Sequence, residues 1–97
     1  MNQPVRIAGM VWYRREEYES ILAVMEDAFK LPRTYTSWLT QAEDNEKIAH
    51  QRGFSTIRAF VDPKTFPAWC HSRGYKIDAE ARKQFANIAA KEAAGDV

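Results

Sequence analysis

The sequence contains a single cysteine, Cys70, among its 97 residues. One cysteine cannot form an internal disulfide, so the fold must be stable without one, which fits a reducing compartment. No apolar run approaches the roughly 18 residues of a membrane span, and the N-terminal segment MNQPVRIAGM lacks the apolar stretch of a signal peptide. We therefore expect a cytoplasmic protein with no membrane partner.

Metal-binding and phosphate-binding motifs are also missing. The four glycines are scattered and form no phosphate-binding loop. The only imidazole and thiol groups are those of His50, Cys70 and His71, and they form no CxxC or HxxxH pair. We therefore expect no metal site and no cofactor, and we assign no catalytic residue.

The sequence also has no marked excess of positive or negative charge. The 14 basic and 13 acidic side chains leave a formal net charge of +1. A chain with this balance lacks the broad positive field that attracts nucleic acid or an anionic membrane.

The sequence does contain enough apolar material for one core. Apolar residues make up 45% of the chain and aromatic residues 12%, as in an ordinary globular protein. The length suits one domain, which we assign to residues 1–97 with loose tails at 1–9 and 93–97.

Two segments have the character of β-strands. Residues 10–14 (MVWYR) are rich in strand-forming side chains. Residues 54–61 (FSTIRAFV) alternate with a period of two and are the clearer strand. Residues 1–9 are predicted to be a leader that joins a strand late, if at all.

Four segments have helical periodicity, and the first two lie between the strands. The first covers residues 15–30, with an apolar stripe that includes Phe29, and ends before Pro32. The second covers residues 34–53, with Thr34 as its N-cap. Its apolar side is predicted to hold Tyr35, Trp38, Leu39, Ala42, Ile48 and Ala49.

The other two helices follow the second strand. The third begins either at Pro63, with Asp62 as N-cap, or after Thr65, and it ends at Gly74. The fourth follows the N-cap Asp78 and runs to about residue 94. Its solvent side is predicted to carry Arg82, Lys83, Asn87 and Lys91.

This order of elements predicts an α+β fold with a short two-stranded sheet and four helices. Such a sheet is marginal alone and needs helices packed on it. The halves also match apolar with apolar when VWYRREEYESIL is set over AFVDPKTFPAWC, at an offset of 48 residues. The match leaves two interpretations open, a βαα–βαα pseudo-repeat and a coincidence of two amphipathic units.

The lone cysteine raises the question of a reactive thiol, because His71 follows it directly. Adjacent residues on a helix point about 100° apart, so His71 cannot easily reach the sulfur of Cys70. Helical spacing instead places Phe66, Trp69 and Arg73 on the side of Cys70. We interpret Cys70 as a small buried apolar residue, which makes a thiol-dependent enzyme the least favoured hypothesis.

Pairing of the two strands would create a face that holds Met10, Trp12, Arg14, Arg58 and Phe60. Either helices cover this face, or it is exposed and binds a partner through Trp12, Arg14, Arg58 and Phe60. Tryptophan and arginine are common anchors of protein interfaces. The leading hypothesis is therefore a non-enzymatic interaction or accessory protein, acting on another protein or as a homodimer through this face or a free strand edge.

A small nucleic-acid-binding regulator is the alternative hypothesis. Arginines brought together by folding could bind phosphates while an aromatic side chain among them stacks on bases. The interleaved acidic residues count against this function. The candidate arginines are Arg14, Arg15, Arg33, Arg52, Arg58 and Arg73, with Trp12, Tyr13 or Tyr35 as stacking residues.

The segments VWYRREEY, LPRTYTSWLTQAE, VDPKTFPAWCHSRG and AEARKQFANIAA together resemble a group of small bacterial proteins that have no assigned function. The resemblance covers residues 11–90. It implies that these segments form one compact unit, and it implies no catalytic or binding role.

Overall fold

A computed structural model of the protein describes residues 6–95, which form two strands and four helices. This confirms the predicted α+β fold with a two-stranded sheet. Short 3-10 turns lie on either side of the first helix, at Arg15–Glu17 and Ala28–Lys30. The main elements are β1 (Arg6–Trp12), α1 (Tyr18–Val24), α2 (Tyr35–Gln51), β2 (Phe54–Phe60), α3 (Phe66–Ser72) and α4 (Ala79–Ala93).

The two strands are parallel and pair along their whole length, from Arg6 opposite Phe54 to Trp12 opposite Phe60. Residues 6–9, predicted to be part of a loose leader, therefore belong to β1. They are ordered as a strand because alternate residues of β1 pair their backbone groups with β2. The rest of the predicted leader, residues 1–5, lies outside the described residues.

The two halves of the chain have the same order of elements and similar spacing. Both strands span seven residues, and they begin 48 residues apart, at Arg6 and Phe54. The helices that follow them begin 48 residues apart as well, at Tyr18 and Phe66. The second helices, α2 and α4, lie on opposite faces of the sheet. The βαα unit therefore occurs twice in the architecture.

Helix α4 packs on the sheet at Gly9. A Cβ atom on this residue would overlap the carbonyl oxygen of Ala86 and would lie 3.3 Å from the Cβ of Ala90. The helix backbone can approach the strand this closely only because position 9 has no side chain. Gly9, which the sequence suggested was part of a loose tail, thus lies at the centre of the contact between β1 and α4.

The core on the other face is mainly aromatic. Trp12 packs edge-on against Trp38 of α2, with 5.2 Å between ring centroids. Tyr13 contacts the same tryptophan at 4.8 Å and is only 2% exposed. Burial raises the pKa of Tyr13 to about 12, although the nearby Arg82 opposes this shift. The hydroxyl of Tyr35 donates to the Tyr13 carbonyl oxygen at 3.1 Å, which ties α2 to the end of β1.

The first helix is shorter than predicted. It ends at Val24, and Met25 has an extended conformation. The backbone N–H of Glu26 donates to the Ile77 carbonyl at 2.8 Å, and the Ile77 N–H donates to the Glu26 carboxylate at 2.9 Å. These bonds to a distant loop replace the helical bonds that local periodicity favours.

Two apolar side chains predicted to be on buried stripes are instead exposed. Phe29 is 82% exposed because the helix that would have turned it inward ends five residues earlier. Ile48 is 44% exposed because the two-stranded sheet is too narrow to cover that side of α2.

Arg82 was predicted on the solvent side of α4 but is buried, with 8% exposure. Its guanidinium donates to both carboxylate oxygens of Asp27, at 2.7 and 2.9 Å. Asp27 also accepts a hydrogen bond from the backbone N–H of Ala79 in the first turn of α4, at 3.1 Å. The pair joins the segment after α1 to α4, and each charge offsets the burial of the other.

Apart from the first helix, the predicted helix ends agree with the structure. Thr34 and Asp78 each accept a backbone hydrogen bond from the first turn of their helix, as N-caps do. Gly53 and Gly74 have φ angles of 87° and 73°, the left-handed conformation expected after a helix. Helix α3 begins after Thr65, which was the second of the two predicted starts.

Gly9→Ala is expected to destabilise the protein strongly. The added methyl group must displace the backbone of α4, so the free energy of unfolding should fall by roughly 3 kcal/mol. Gly53→Ala is the matched control, because open space surrounds Gly53 and only its positive φ resists a side chain. That control should cost about 1 kcal/mol. Urea denaturation measures both, and equal losses would contradict the close contact at Gly9.

Asp27→Ala should cost about 3–5 kcal/mol because it leaves the Arg82 guanidinium buried and unpaired. A double variant, Asp27→Leu with Arg82→Leu, should recover much of that loss. Denaturation at pH 7 tests both expectations. If the double variant is no more stable than Asp27→Ala, the cost does not come from an unpaired charge.

The same pair makes stability depend on pH. The Arg82 hydrogen bonds hold the pKa of Asp27 below its usual range. The ionised carboxylate therefore stabilises the fold above the unfolded-state pKa of about 3.9. This contribution is lost as the pH falls through the lower folded-state pKa. The wild type should lose it in acid, and the double Leu variant should not.

Candidate interaction surface

Trp12 lies beneath an arginine. The ring is 3% exposed, with Trp38 of α2 against its edge and the Arg58 guanidinium over its face at 3.9 Å. A cation in this position is attracted by the negative face of the indole ring. Helix α2 and Arg58 together cover the tryptophan that the sequence suggested as an exposed anchor.

Arg58 is held over Trp12 by Glu46 of α2. Its Nε and Nη2 donate to the two carboxylate oxygens at 3.0 and 2.8 Å. These bonds hold the pKa of Glu46 below its usual range. The side chain of Arg58 is 43% exposed, so solvent screens the pair and its main effect is to orient the guanidinium.

Two further arginines stack on aromatic rings beside this pair. Arg14 lies over Phe60 at 4.5 Å, and Arg15 lies over Tyr35 at 4.7 Å. Phe60 is 41% exposed despite this cover. The Arg–aromatic surface, as we use the term, consists of Arg14, Arg15, Tyr35, Arg58 and Phe60.

The structure brings together the four residues predicted as a partner site. Trp12 and Phe60 are opposite each other in the register, and Arg58 and Arg14 lie over them. Arg14, Arg58 and Phe60 are exposed, whereas Trp12 supports them from below. Their role in binding a partner stays a prediction.

The six candidate arginines do not form one cluster. Arg14, Arg15 and Arg58 belong to the Arg–aromatic surface. Arg73, at the end of α3, instead stacks on Trp69 of that helix at 4.5 Å. The remaining two, Arg33 and Arg52, lie just outside the two ends of α2. Folding therefore brings three of the six candidate arginines to one surface.

Glu46 was missed in the sequence, where the polar stretch EDNEK indicated a solvated face. Spacing could have found it, because residues 38, 42 and 46 are four apart and share one side of a helix. Trp38 and Ala42 on that side are buried, and the Glu46 side chain is only 14% exposed.

A polar network extends from Glu46 towards the start of β2. Thr56 Oγ1 lies 2.9 Å from His50 Nε2 and donates to Glu46 Oε2 at 3.5 Å. A catalytic arrangement requires the carboxylate to orient the imidazole. Here the carboxylate contacts the hydroxyl group instead. The network therefore joins α2 to β2 rather than forming a nucleophile and its base.

Cys70 is fully buried in the core, which confirms its interpretation as a packing residue. Burial raises the pKa of its thiol, and the nearby carboxylates of Asp78 and Glu26 act in the same direction. His71, the neighbour that suggested a base, is exposed on the surface of α3.

Within residues 6–95, no group of three His, Cys, Asp or Glu side chains is close enough to hold a metal ion. Across the same residues, no helix is long and apolar enough to cross a membrane.

In comparisons with known proteins, no family model matches this chain, and no curated protein or solved structure matches it. The resemblance to small bacterial proteins stays a prediction. The function must therefore be inferred from the geometry of the chain itself.

Alkylation of Cys70 should be slow in the folded protein. The sulfur is covered, and its raised pKa lowers the fraction of reactive thiolate at neutral pH. Iodoacetamide labelling followed by mass spectrometry should show modification at least about a hundredfold slower than in urea, since reaction requires opening of the structure. Equally fast labelling in both conditions would restore the thiol-enzyme hypothesis.

Proposed function

We propose that the protein is a non-enzymatic accessory protein of the cytoplasm that acts by binding a protein surface, with a second copy of the chain as its partner. The contact is the Arg–aromatic surface. The observation that carries this proposal is the 41% exposure of Phe60 within a group of oriented arginines. Exposed aromatic and arginine side chains are typical hot spots of protein interfaces.

Preorganisation supports this function. The ion pairs with Glu46 and Glu17 and the stacking on aromatic rings restrict Arg58 and Arg14 before any partner arrives. Side chains that are already ordered lose little entropy on binding. The surface therefore offers planar guanidinium groups at fixed positions beside an apolar ring.

The distribution of charge favours a second copy of the chain. Arg15 forms no ion pair with a carboxylate in residues 6–95, and the exposed carboxylate of Glu16 is its immediate neighbour. A two-fold interface requires a surface that is complementary to itself. The glutamates that pair with Arg14 and Arg58 give the patch both signs of charge around an apolar centre, which meets that requirement.

Nucleic-acid binding is supported less well. Two of the three arginines of this surface already pair with glutamates, at 3.6 Å for Arg14 and 2.8 Å for Arg58. The surface therefore offers little net positive charge to a phosphate backbone. Absence of retention on mixed DNA and RNA at low salt would dispose of this alternative.

Light scattering across protein concentrations from micromolar to millimolar tests the homodimer. The wild type should change from monomer to dimer in this range. Phe60→Ser, and separately Arg15→Glu, should each weaken the dimer at least about tenfold, because they remove a central apolar contact or a cross-dimer ion pair.

Phe29→Ser is the matched control, since it removes an exposed phenylalanine outside the Arg–aromatic surface. Its dimer should be unchanged. A monomer at every concentration would exclude the homodimer. A dimer that Phe29→Ser breaks and Phe60→Ser spares would assign the interface to a different surface.

A further inference from the structure

Strand β1 has a free edge. The Val61 N–H donates to the Trp12 carbonyl at 3.0 Å, so the backbone of Trp12 faces β2. Backbone groups alternate in direction along a strand, so those of Ile7, Gly9 and Val11 face away from β2. No residue between 6 and 95 pairs with these outward groups through its backbone. Among the described residues, they form a row of three N–H donors and three C=O acceptors that have no backbone partner.

A groove lies beside this edge. It has a volume of about 350 Å³ and is bounded by β1, by the loop after α1 and by α2. Two of the most exposed apolar side chains lie next to it. Phe29 directly precedes the lining residue Lys30, and Ile48 is one helical turn beyond Asn45, which lines the opposite side.

The position of α4 decides which partner can use the edge. This helix lies directly over Gly9, so it is centred close to β1. Neighbouring strands are about 4.8 Å apart, whereas packed helices need roughly 8–10 Å between their axes. Two copies that joined β1 to β1 would bring their α4 helices too close together. An extended peptide brings no helix and fits beside α4.

Charge selects the kind of peptide. Among residues 6–95, Lys30 is the only charged residue that lines the groove, and it has no ion pair with a carboxylate of that range. Arg6, at the start of the same strand, also lacks one within that range and stacks on Phe54 at 5.8 Å. Arg6 at the start of the edge and Lys30 in the groove therefore favour carboxylates, while Val11 and Leu31 in the groove lining offer contacts to apolar side chains.

We propose that the edge of β1 binds, as a third strand of the sheet, an extended peptide whose groove-facing side chains are apolar in the middle and acidic at the ends. The backbone of the peptide pairs with Ile7, Gly9 and Val11. Its apolar side chains enter the groove beside α2, and a carboxylate contacts Lys30. This site is separate from the Arg–aromatic surface and does not depend on the function proposed for that surface.

The probe is a fluorescein-labelled peptide of nine residues. Its odd positions hold Glu, Val, Phe, Val and Glu in that order, so these side chains share one face of the strand, and Thr fills the even positions. Fluorescence anisotropy should show saturable binding. The same peptide N-methylated at alternate residues should bind at least about tenfold more weakly, because it cannot form the strand hydrogen bonds. A peptide with Lys in place of Glu should also bind more weakly, since Lys30 would repel it.

Amide hydrogen exchange locates the peptide. With the peptide at about ten times its Kd, exchange at Ile7, Gly9 and Val11 should slow about tenfold. The amides of Ala8, Met10 and Trp12 face β2 and should change little. This alternation is specific to strand addition, because a ligand that only stabilised the fold would slow both sets of amides.

Matched variants complete the test. Lys30→Glu should lower the affinity about fivefold, whereas Lys76→Glu, the same change at an exposed lysine outside the groove, should not. Phe60→Ser should bind the peptide normally even if it disrupts the homodimer. The proposal is overturned if the N-methylated and parent peptides bind equally, or if Lys30→Glu and Lys76→Glu behave alike. Protection of the three outward amides that rises with protein concentration alone would also overturn it.

Discussion

The close contact between Gly9 and α4 is the constraint on which the rest of the fold depends. A sheet of two strands cannot bury enough surface by itself, so a helix must cover each face. On one face, α4 lies almost on the strand backbone because Gly9 has no side chain. Arg82 of the same helix pairs with Asp27, which joins α4 to the segment after α1. The close contact at Gly9 and the buried ion pair are thus two attachments of the same helix.

On the opposite face of the sheet, a charged side chain, Arg58, covers an aromatic residue, Trp12. Trp38 of helix α2 packs against Trp12, and Arg58 covers a face of the indole. Glu46 orients that arginine, so the polar surface above the apolar core is well ordered. The side chains proposed for binding therefore pack directly on the core. The contacts that hold them in place, such as Arg58 on Trp12, also stabilise the fold.

The sequence predicted much of the fold and part of the candidate site. The N-caps, the left-handed glycines and the strand from residue 54 depend on neighbouring residues, so local patterns are sufficient to find them. The four residues of the predicted partner site do meet, because strand alternation determines which side chains share a face. Sequence periodicity failed at Phe29, where hydrogen bonds from Glu26 to a loop distant in the chain outweigh helix propensity.

The sequence by itself determined the class of fold, the helix boundaries marked by caps and the burial of the single cysteine. Each follows from composition or from spacing over a few residues. Only the tertiary structure decided that Gly9 belongs to a strand, that Arg82 is buried and that Trp12 is covered by Arg58. Those outcomes depend on which distant elements are adjacent, and short-range periodicity carries no information about the partner across a sheet or between helices. The free edge of β1 has the same origin, since it exists only because the sheet ends after two strands.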